Sequence, residues 1–402
     1  MNAPADETQQ HNTHLREVAG LFLRLGFTAF GGPAAHIAMM REEVVRRRKW
    51  VSDERFVDML GVANLIPGPT STEMGIYLGY VRAGWAGLAV AGVCFIGPAM
   101  LMVLAIAWAY VAYGTLPQVN WLFYGIQPVV VAIISQAVWN LGRTIFKGPW
   151  SAVVAAGVAA LYLLGINVLI LLFGGGLAYG LVVLARRRPA SVARPAALFA
   201  PLAGGGHVAR ALALLGAAAA AVPFSQVLLF LTFLKIGAVI YGSGYVLLAF
   251  LRADLVQNLH WLTDKQLLDA VSVGQFTPGP VFTTATFIGY VLGGWRGAIV
   301  ATLGIFAPSF VFVPLIHPVA RRLRQSPLSA PLLDGVNVAA VALMAGVLVQ
   351  LGQHSLTDWL TWVLALGALA VLLRFKVNSA WLILLGAAVG LLRFALASYW
   401  GI

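Results

Sequence analysis

The chain has 402 residues, of which 60% are hydrophobic and only 10% are charged. A soluble domain carries about a quarter charged residues, so this composition excludes an ordinary soluble enzyme, a disordered chain and a fibrous repeat. Apolar stretches of about 20 residues recur along most of the sequence, and each is long enough to cross a bilayer as a helix. Because they are continuously apolar rather than alternating, they predict an all-α polytopic integral membrane protein and not a transmembrane barrel.

The net charge of +12 comes from 26 basic and 14 acidic residues. In a soluble protein this excess would suggest nucleic-acid binding, but most of the Arg and Lys lie between apolar stretches. A membrane-topology signal is the more economical interpretation, with no nucleic-acid partner. The one cysteine, Cys94, cannot form an internal disulfide, and no Cys/His cluster has the spacing of a metal site. We therefore expect no metal and no cofactor.

The sequence repeats itself after a polar start that lacks the features of a cleaved signal peptide. Trp50 matches Trp261, 211 positions later, and Pro67-Gly68-Pro69 falls on Pro278-Gly279-Pro280 at the same offset. Such an ordered match of Trp, Pro and Gly indicates a duplication. The predicted divisions are a cytoplasmic N-terminal tail (1–14), a first membrane repeat (15–185), a basic cytoplasmic linker (186–210) and a second membrane repeat (211–402).

The basic residues predict opposite orientations for the two repeats. Loop 41–55 holds six Arg or Lys and its counterpart 252–266 holds two, whereas 111–120 holds none and the counterpart near 320–330 holds three. Basic loops stay in the cytoplasm, so the repeats are predicted to be inverted. Nine full spans are predicted near 85–109, 122–142, 151–165, 168–185, 210–224, 298–318, 333–352, 359–373 and 378–397. The orientation requires re-entrant helical hairpins at 15–40, 56–81, 226–251 and 267–291; the alternative is that each of these is one full span.

Each predicted hairpin has Gly or Pro at its centre, where a helix must stop or break. In lipid, such breaks occur only inside protein or along a wet cavity. The half-helix that follows each break has free N–H groups and a positive dipole end, which together favour an anion. Simple kinks or loop turns are the alternative. The predicted substrate-binding positions are Gly31, Gly32, Pro33, Pro67, Gly68, Pro69, Gly242, Ser243, Gly244, Pro278, Gly279 and Pro280.

Hydroxyl and amide side chains flank these breaks and can hydrogen-bond an oxyanion. The alternative for each hydroxyl is that it caps the broken backbone itself. The predicted substrate-binding residues of this kind are Asn64, Thr70, Ser71, Gln275 and Thr283, with Thr72, Thr277 and Thr284 beside them.

Charged residues inside membrane segments are costly and are functional candidates. Arg24 and Lys235 are equivalent in the two repeats and precede the first break of each, so we predict two buried cations that bind substrate. Snorkelling to the headgroups is the alternative. Glu73, whose counterpart is Thr284, is a candidate to pair with Arg24 or to carry a proton. His36 is a second proton-coupling candidate because imidazole titrates near neutral pH, although a lone His is more often structural.

Several of these motifs resemble the chromate ion transporter (CHR) family in its long, two-repeat form. The second repeat departs from the first, with Tyr241-Gly242-Ser243-Gly244 in place of Phe30-Gly31-Gly32-Pro33, so the halves should contribute unequally. The resemblance covers roughly residues 15–350. Its matching pieces are Phe30-Gly31-Gly32-Pro33, His36-Ile37-Ala38, Met40-Arg41-Glu42-Glu43, Trp50, Gly79-Tyr80, Ile288-Gly289-Tyr290 and the two Pro-Gly-Pro triplets.

This resemblance implies a transporter of the cell (inner or plasma) membrane that exports chromate from the cytoplasm and confers resistance. It implies an antiporter driven by the proton-motive force, with the oxyanion, protons and the bilayer as partners and a homodimer as one candidate assembly. The resemblance leaves sulfate and other tetrahedral oxyanions open as alternative substrates. The physics agrees with the direction, because an inside-negative potential expels an anion with ~2.3 kcal/mol per charge per 100 mV. Alternating access is expected from one half rocking against the other.

Alternatives remain at this point. One is an oxyanion (sulfate-like) channel or importer of the same fold. Another is an intramembrane enzyme, but the membrane segments hold no paired-carboxylate, His-rich or Ser/His constellation. The sequence also has no Gly-Lys-Ser/Thr nucleotide-binding loop, so we expect neither an enzyme nor an ATP-driven pump.

Overall fold

A computed structural model describes residues 3–187, 222–241, 244–325, 329–375 and 377–400, and every regular element among them is helical. The first half contains α1 (Ala3–Thr28), α2 (Gly32–Arg41), a π-helix (Glu42–Arg47), α3 (Asp53–Ala63), α4 (Thr70–Tyr113), α5 (Pro117–Ile145), α6 (Pro149–Leu163) and α7 (Val168–Arg187). The second half contains α8 (Gln226–Val239), a 3-10 turn (Gly244–Val246), α9 (Leu247–Leu251), a π-helix (Arg252–Asn258), α10 (Asp264–Phe276), a 3-10 turn (Val281–Thr283), α11 (Thr284–Gln325), α12 (Ser329–Ser355), α13 (Trp359–Arg374) and α14 (Ser379–Trp400).

The helices confirm the predicted all-α polytopic membrane protein. Six are long and apolar enough to cross a membrane by length and composition, and they lie in α4, α5, α7, α11, α12 and α14. Three shorter apolar helices are α6, α8 and α13. Eight of the nine predicted spans fall on described helices. The ninth, near 210–224, lies outside the described residues except for 222–224. Most of the predicted linker 186–210 also lies outside them, as do Gly242 and Ser243.

Most of the predicted N-terminal tail is helical and is continuous with α1. Residues 3–14 continue α1 as a polar helical extension, because Ala, Glu and Gln in this stretch favour helix and nothing breaks it. The division of the chain into repeats and linker stays a prediction.

Two of the long helices reverse direction inside their length. Gly84 in α4 has φ 60° and ψ −149°, and Gly294 in α11 has φ 60° and ψ −154°. A side chain added to Gly79 would collide with the carbonyl oxygen of Gly87, although eight residues of continuous helix would separate them by about 12 Å. A side chain added to Gly289 would likewise collide with the carbonyl oxygen of Gly297. The short helical segments after the Pro-Gly-Pro triplets therefore fold back against the spans that follow.

The two halves are interleaved, with helices of each half packed against helices of the other. Within the halves, α1 packs on α4 and α8 packs on α11, which are equivalent pairs. Between the halves, α4 packs on α11, and α5 and α7 pack on helices from α12 to α14. The contact between α4 and α11 brings the N-terminal ends of both helices, and the breaks before them, into the interior.

The two π-helices end in matching loops with matching ion pairs. Arg41 Nε donates to Asp53 Oδ1 at 2.7 Å, and Arg252 Nε donates to Asp264 Oδ1 at 2.6 Å. The hydrogen bond from Arg41 lowers the pKa of the exposed Asp53 carboxyl below its ordinary value. Each of these Asp residues starts the helix after the loop, where an acidic group complements the helix dipole. The inverted orientation of the halves stays a prediction.

Candidate functional site

All four predicted helix breaks are present. Residues 29–31 separate α1 from α2, and residues 64–69 separate α3 from α4. In the second half, α8 ends before residue 240, and residues 277–280 separate α10 from the next 3-10 turn. Gly31 has φ 100°, a left-handed conformation that Gly adopts without a steric penalty.

Each Pro-Gly-Pro triplet pairs with the first break of the opposite half. The Gly68 N–H donates to the carbonyl oxygen of Ile240 at 2.8 Å, and the Gly279 N–H donates to that of Ala29 at 2.8 Å. These bonds satisfy backbone groups that the breaks release, as a buried non-helical segment in a membrane protein requires. The two halves are therefore joined reciprocally at their breaks.

The first breaks of the two halves also face one another. A Cβ built on Gly32 would lie 3.6 Å from the Tyr245 hydroxyl oxygen, and one built on Gly244 would lie 3.9 Å from Pro33 Cγ. Both Pro-Gly-Pro triplets are buried. The structure thus brings together Gly32, Pro33, Gly244 and both triplets, whereas Gly31 is exposed. A substrate-binding role for these residues stays a prediction.

Glu73 lies at the centre of this arrangement, in the first turn of α4. Its side chain is fully buried, and neither carboxyl oxygen has a hydrogen-bond partner among the described residues. The carboxyl lies against the Cα of Gly68 and faces the Ser309 hydroxyl of α11, out of hydrogen-bonding geometry. The N-terminal dipole of α4 favours a negative charge here. The predicted pairing of Glu73 with Arg24 is wrong, because Arg24 pairs elsewhere.

Other buried polar atoms near the breaks are also left without partners among the described residues. They include Thr72 Oγ1, Ser309 Oγ, Gln275 Nε2 and His36 Nδ1. Such atoms are rare in folded proteins and call for an explanation. They are donors and acceptors that the fold leaves free for an oxyanion, a proton or water.

His36 is anchored to the first break. Its ring is buried, and Nε2 lies 3.0 Å from the carbonyl oxygen of Ala29, which also accepts the Gly279 N–H. A carbonyl only accepts hydrogen bonds, so Nε2 carries the proton and Nδ1 is an acceptor. The ring also packs edge-on against Phe95. These contacts support the structural alternative, and proton carrying by His36 stays a prediction.

The hydroxyls of the second repeat cap the broken backbone. Thr277 Oγ1 donates to the carbonyl of Val273 at 3.0 Å, and Thr283 Oγ1 donates to that of Pro280 at 2.8 Å. An oxyanion needs donors, and the hydroxyl proton of Thr283 is already used. This contact supports the capping alternative for Thr283, because the carbonyl released three residues earlier accepts its proton, and a substrate-binding role for Thr283 stays a prediction.

The remaining polar candidates have unequal surroundings. Ser71 is buried and Thr70 is partly buried, both in the first turn of α4. Asn64 is exposed at the end of α3, whereas its counterpart Gln275 is only partly exposed. The two halves therefore present different groups at equivalent positions.

The prediction that Arg24 and Lys235 are buried cations is wrong. Their side chains are 49% and 42% exposed, and each is paired with an acid. Arg24 Nη2 lies 2.6 Å from Glu43 Oε1, and Lys235 Nζ lies 2.7 Å from Asp254 Oδ2. The physical reason is that the π-helix of each half places an acid beside the cation.

Glu43 and Asp254 are the functional candidates that the sequence reasoning missed. Glu43 and Asp254 are equivalent at the repeat offset of 211, and both are acidic. This shared negative charge could have indicated an acidic partner for Arg24 and Lys235. A bound anion at Arg24 or Lys235 would compete with these carboxylates. A substrate-binding role for the two cations stays a prediction.

Comparison with known proteins places these features in a family context. The sequence profile described as chromate transporter matches twice, over residues 16–181 and 227–391. The chromate transport protein of Cupriavidus metallidurans is 35% identical over 389 residues, which cover 94% of each chain. The probable chromate transport protein of Synechococcus elongatus is 33% identical over 360 residues, which cover 88% of this chain and 89% of that one. The chromate transport protein of Pseudomonas aeruginosa is 34% identical over 343 residues, which cover 83% and 80%. No solved structure matches this chain.

Proposed function

We propose, since the chain belongs to the chromate transporter family, that it exports chromate or a related tetrahedral oxyanion from the cytoplasm through the helix breaks. The observation that carries the proposal is the reciprocal pairing of Gly68 with Ile240 and of Gly279 with Ala29. It gathers broken helices from both halves at one buried place. Family membership also argues against an enzyme.

The chemistry of the breaks suits an oxyanion. The N-termini of α2 and α4 point N–H groups and positive dipole ends into this region, which favours an anion without a metal. Among the described residues, two backbone hydrogen bonds join the triplets to the opposite half. Each contributes about 0.5–1.5 kcal/mol net, in addition to the helix packing between the halves.

The membrane potential supplies a drive for export. At ~2.3 kcal/mol per charge per 100 mV, a divalent oxyanion gains ~4.6 kcal/mol per 100 mV, which sustains a gradient of roughly a thousandfold. Proton entry would add to this drive. An ionised Glu73 would repel an anion at the breaks, so the protonated form is the one that admits the substrate. Protonation of Glu73 would therefore control substrate entry, and Glu73 and His36 stay the proton-coupling candidates at the breaks.

Orientation follows from the basic loops and is part of the proposal. With the N-terminus and loop 41–55 in the cytoplasm, Lys49 and His260 face opposite sides of the inner membrane. Both are exposed and equivalent in the two halves. With Cys94 replaced by Ala, single cysteines at these positions should react with a membrane-impermeant thiol reagent from opposite sides. Labelling of both from one side would refute the inverted arrangement.

Chromate uptake into inverted membrane vesicles tests the function. Vesicles with the protein should accumulate chromate beyond the external concentration when the membrane is energised, and sulfate competition defines how wide the oxyanion class is. An imposed pH gradient should change the rate if protons are coupled. Flux that only follows the chromate gradient and ignores pH would favour the channel alternative, and flux in the reverse direction would favour an importer.

A further inference from the structure

Asp269 of α10 is a buried carboxylate that lies outside the helix breaks. Its side chain is 1% exposed, and it accepts hydrogen bonds from the Tyr110 hydroxyl at 2.9 Å and from the Gln127 amide at 2.8 Å. Both donors are neutral. Asp269 makes no salt bridge with any Lys, Arg or His in the described part of the chain. An unpaired buried carboxylate is costly, so it calls for a function.

Both protonation states of Asp269 fit its surroundings. The ionised form accepts from Tyr110 and from Gln127, as observed. The protonated form can donate to the Tyr110 oxygen, because a phenol hydroxyl serves as donor or acceptor, while Gln127 still donates to the other oxygen. Either state therefore leaves both Asp269 oxygens hydrogen-bonded. This is the property that a group needs if it binds and releases protons in place.

A cavity whose lining includes several polar side chains gives this carboxylate a route to solution. The cavity has a volume of about 350 Å³, and Gln127 both lines it and bonds to Asp269. One amide group therefore separates the carboxylate from the cavity. The Ser355 hydroxyl, buried and without a partner among the described residues, lines the same space. Protons can reach Asp269 through water held by these groups.

The charged groups around the cavity are mostly engaged with one another. On the elements around α10, Arg252 pairs with Asp264, to which His354 also lies close at 3.4 Å. Beside Tyr124, which also lines the cavity, Arg393 pairs with Asp358 at 2.6 Å. The Tyr124 hydroxyl donates to the same Asp358 carboxylate.

Two titratable groups face Asp269 directly. Tyr110 of α4 is its hydrogen-bond donor, and Lys265 lies one turn earlier on its own helix. Lys265 is itself hydrogen-bonded to Asn120 at 2.8 Å. The pH response of this site is therefore centred on Asp269, with Lys265 as the nearby positive charge.

The two halves differ at this position. Asp58 is the equivalent residue in the first half, and its side chain is exposed at the surface. Conversely, Glu73 has Thr284 as its counterpart. Besides Glu43 and Asp254, which are ion-paired, each half thus holds one further buried carboxylate among the described residues. The two lie at different places: Glu73 at the breaks, and Asp269 about 12 Å along α10 from Thr277.

We infer that Asp269 is a proton-binding site, reached from solution through the cavity beside Gln127. The inference rests on the proposed transport function. A proton on Glu73 favours binding of an anion at the breaks, so this proton and the anion would cross the membrane in the same direction. Asp269 lies away from the breaks and can take up a proton while the breaks are empty. It is therefore the carboxylate suited to exchange a proton against the oxyanion.

Asp269→Asn is the direct test, because an amide mimics the protonated acid in shape and hydrogen bonding. The purified full-length protein is reconstituted in vesicles with an internal pH dye, and chromate movement and proton movement are recorded together. The wild type and the matched control Asp58→Asn should show protons moving opposite to chromate. Asp269→Asn should reduce that proton movement to the level of empty vesicles while chromate still follows an imposed potassium-diffusion potential.

The outcomes separate this inference from the function on which it rests. A wild-type proton-to-chromate ratio in Asp269→Asn overturns the Asp269 site alone. Chromate movement without protons in the wild type overturns proton coupling and the site with it, and no chromate movement overturns the proposed function. If Asp269→Asn does not fold, Asp269→Glu decides: it keeps a carboxyl group and should keep coupling with a shifted pH profile, whereas an unchanged profile counts against the site.

Discussion

Replacing Gly279 with Ala should distort the contact between the second Pro-Gly-Pro triplet and α4. The backbone of Gly279 has φ +91°, and a left-handed conformation strains an L-residue by about 1–2 kcal/mol. The new Cβ would lie 2.6 Å from the Cβ of Ala99. Both carbons are fixed to backbone, so neither can rotate away, and overpacking of this kind costs about 1–3 kcal/mol. The summed cost is about 2–5 kcal/mol. It arises at Gly279, whose N–H donates to the carbonyl oxygen of Ala29.

The assay is chromate uptake into inverted vesicles at matched amounts of inserted protein. If only about 1.4 kcal/mol of the cost raises the transport barrier, the rate falls about tenfold. Gly20→Ala is the matched control, because Gly20 lies within α1 with nothing near its Cβ position and no left-handed backbone. The control should transport at the wild-type rate.

A second-site change isolates the steric part of this effect. Ala99→Gly removes the methyl group that the new Cβ would meet, so Gly279→Ala with Ala99→Gly should recover part of the lost transport. Wild-type transport in Gly279→Ala alone would refute the close packing of the break on α4. A loss that Ala99→Gly does not relieve would assign the whole effect to backbone strain.

Two further predictions concern charge. Glu73→Gln fixes the side chain in a neutral form of the same shape, so chromate affinity should lose its pH dependence; a profile parallel to the wild type would show that another group sets it. Arg24→Ala and Lys235→Ala should raise the chromate concentration needed for half-maximal transport, measured at matched amounts of inserted protein because each change removes a partner from a buried acid. Unchanged affinity would show that Arg24 and Lys235 do not bind chromate and only form ion pairs with Glu43 and Asp254.

The breaks could be predicted from the sequence because Pro and Gly act locally. Pro67 and Pro278 each precede a glycine with positive φ, Gly68 and Gly279, and this combination ends the helix locally. A lone proline does not suffice, since Pro98 lies inside α4. The apolar stretches likewise predicted the long helices from composition and length. These features follow from the local sequence alone and do not depend on which residues pack against them.

The partners of the breaks could not be predicted in this way. The bond from Gly68 to Ile240 joins residues from opposite halves, and no local pattern specifies it. The ion pair of Lys235 with Asp254 joins residues 19 positions apart across a break, where helical spacing gives no guide. Burial also depends on the assembled fold, which is why Asp269 is buried while its equivalent Asp58 is exposed.

Transport by proline variants tests the central claim that the paired breaks form the oxyanion path. Chromate flux is measured in vesicles reconstituted with purified wild type, Pro67→Ala, Pro278→Ala and the control Pro149→Ala, at equal protein. Pro149 starts α6 and is exposed, away from the breaks. The account predicts that both triplet variants lose chromate flux while still folding, and that Pro149→Ala keeps it. Wild-type flux in both Pro67→Ala and Pro278→Ala would contradict the account.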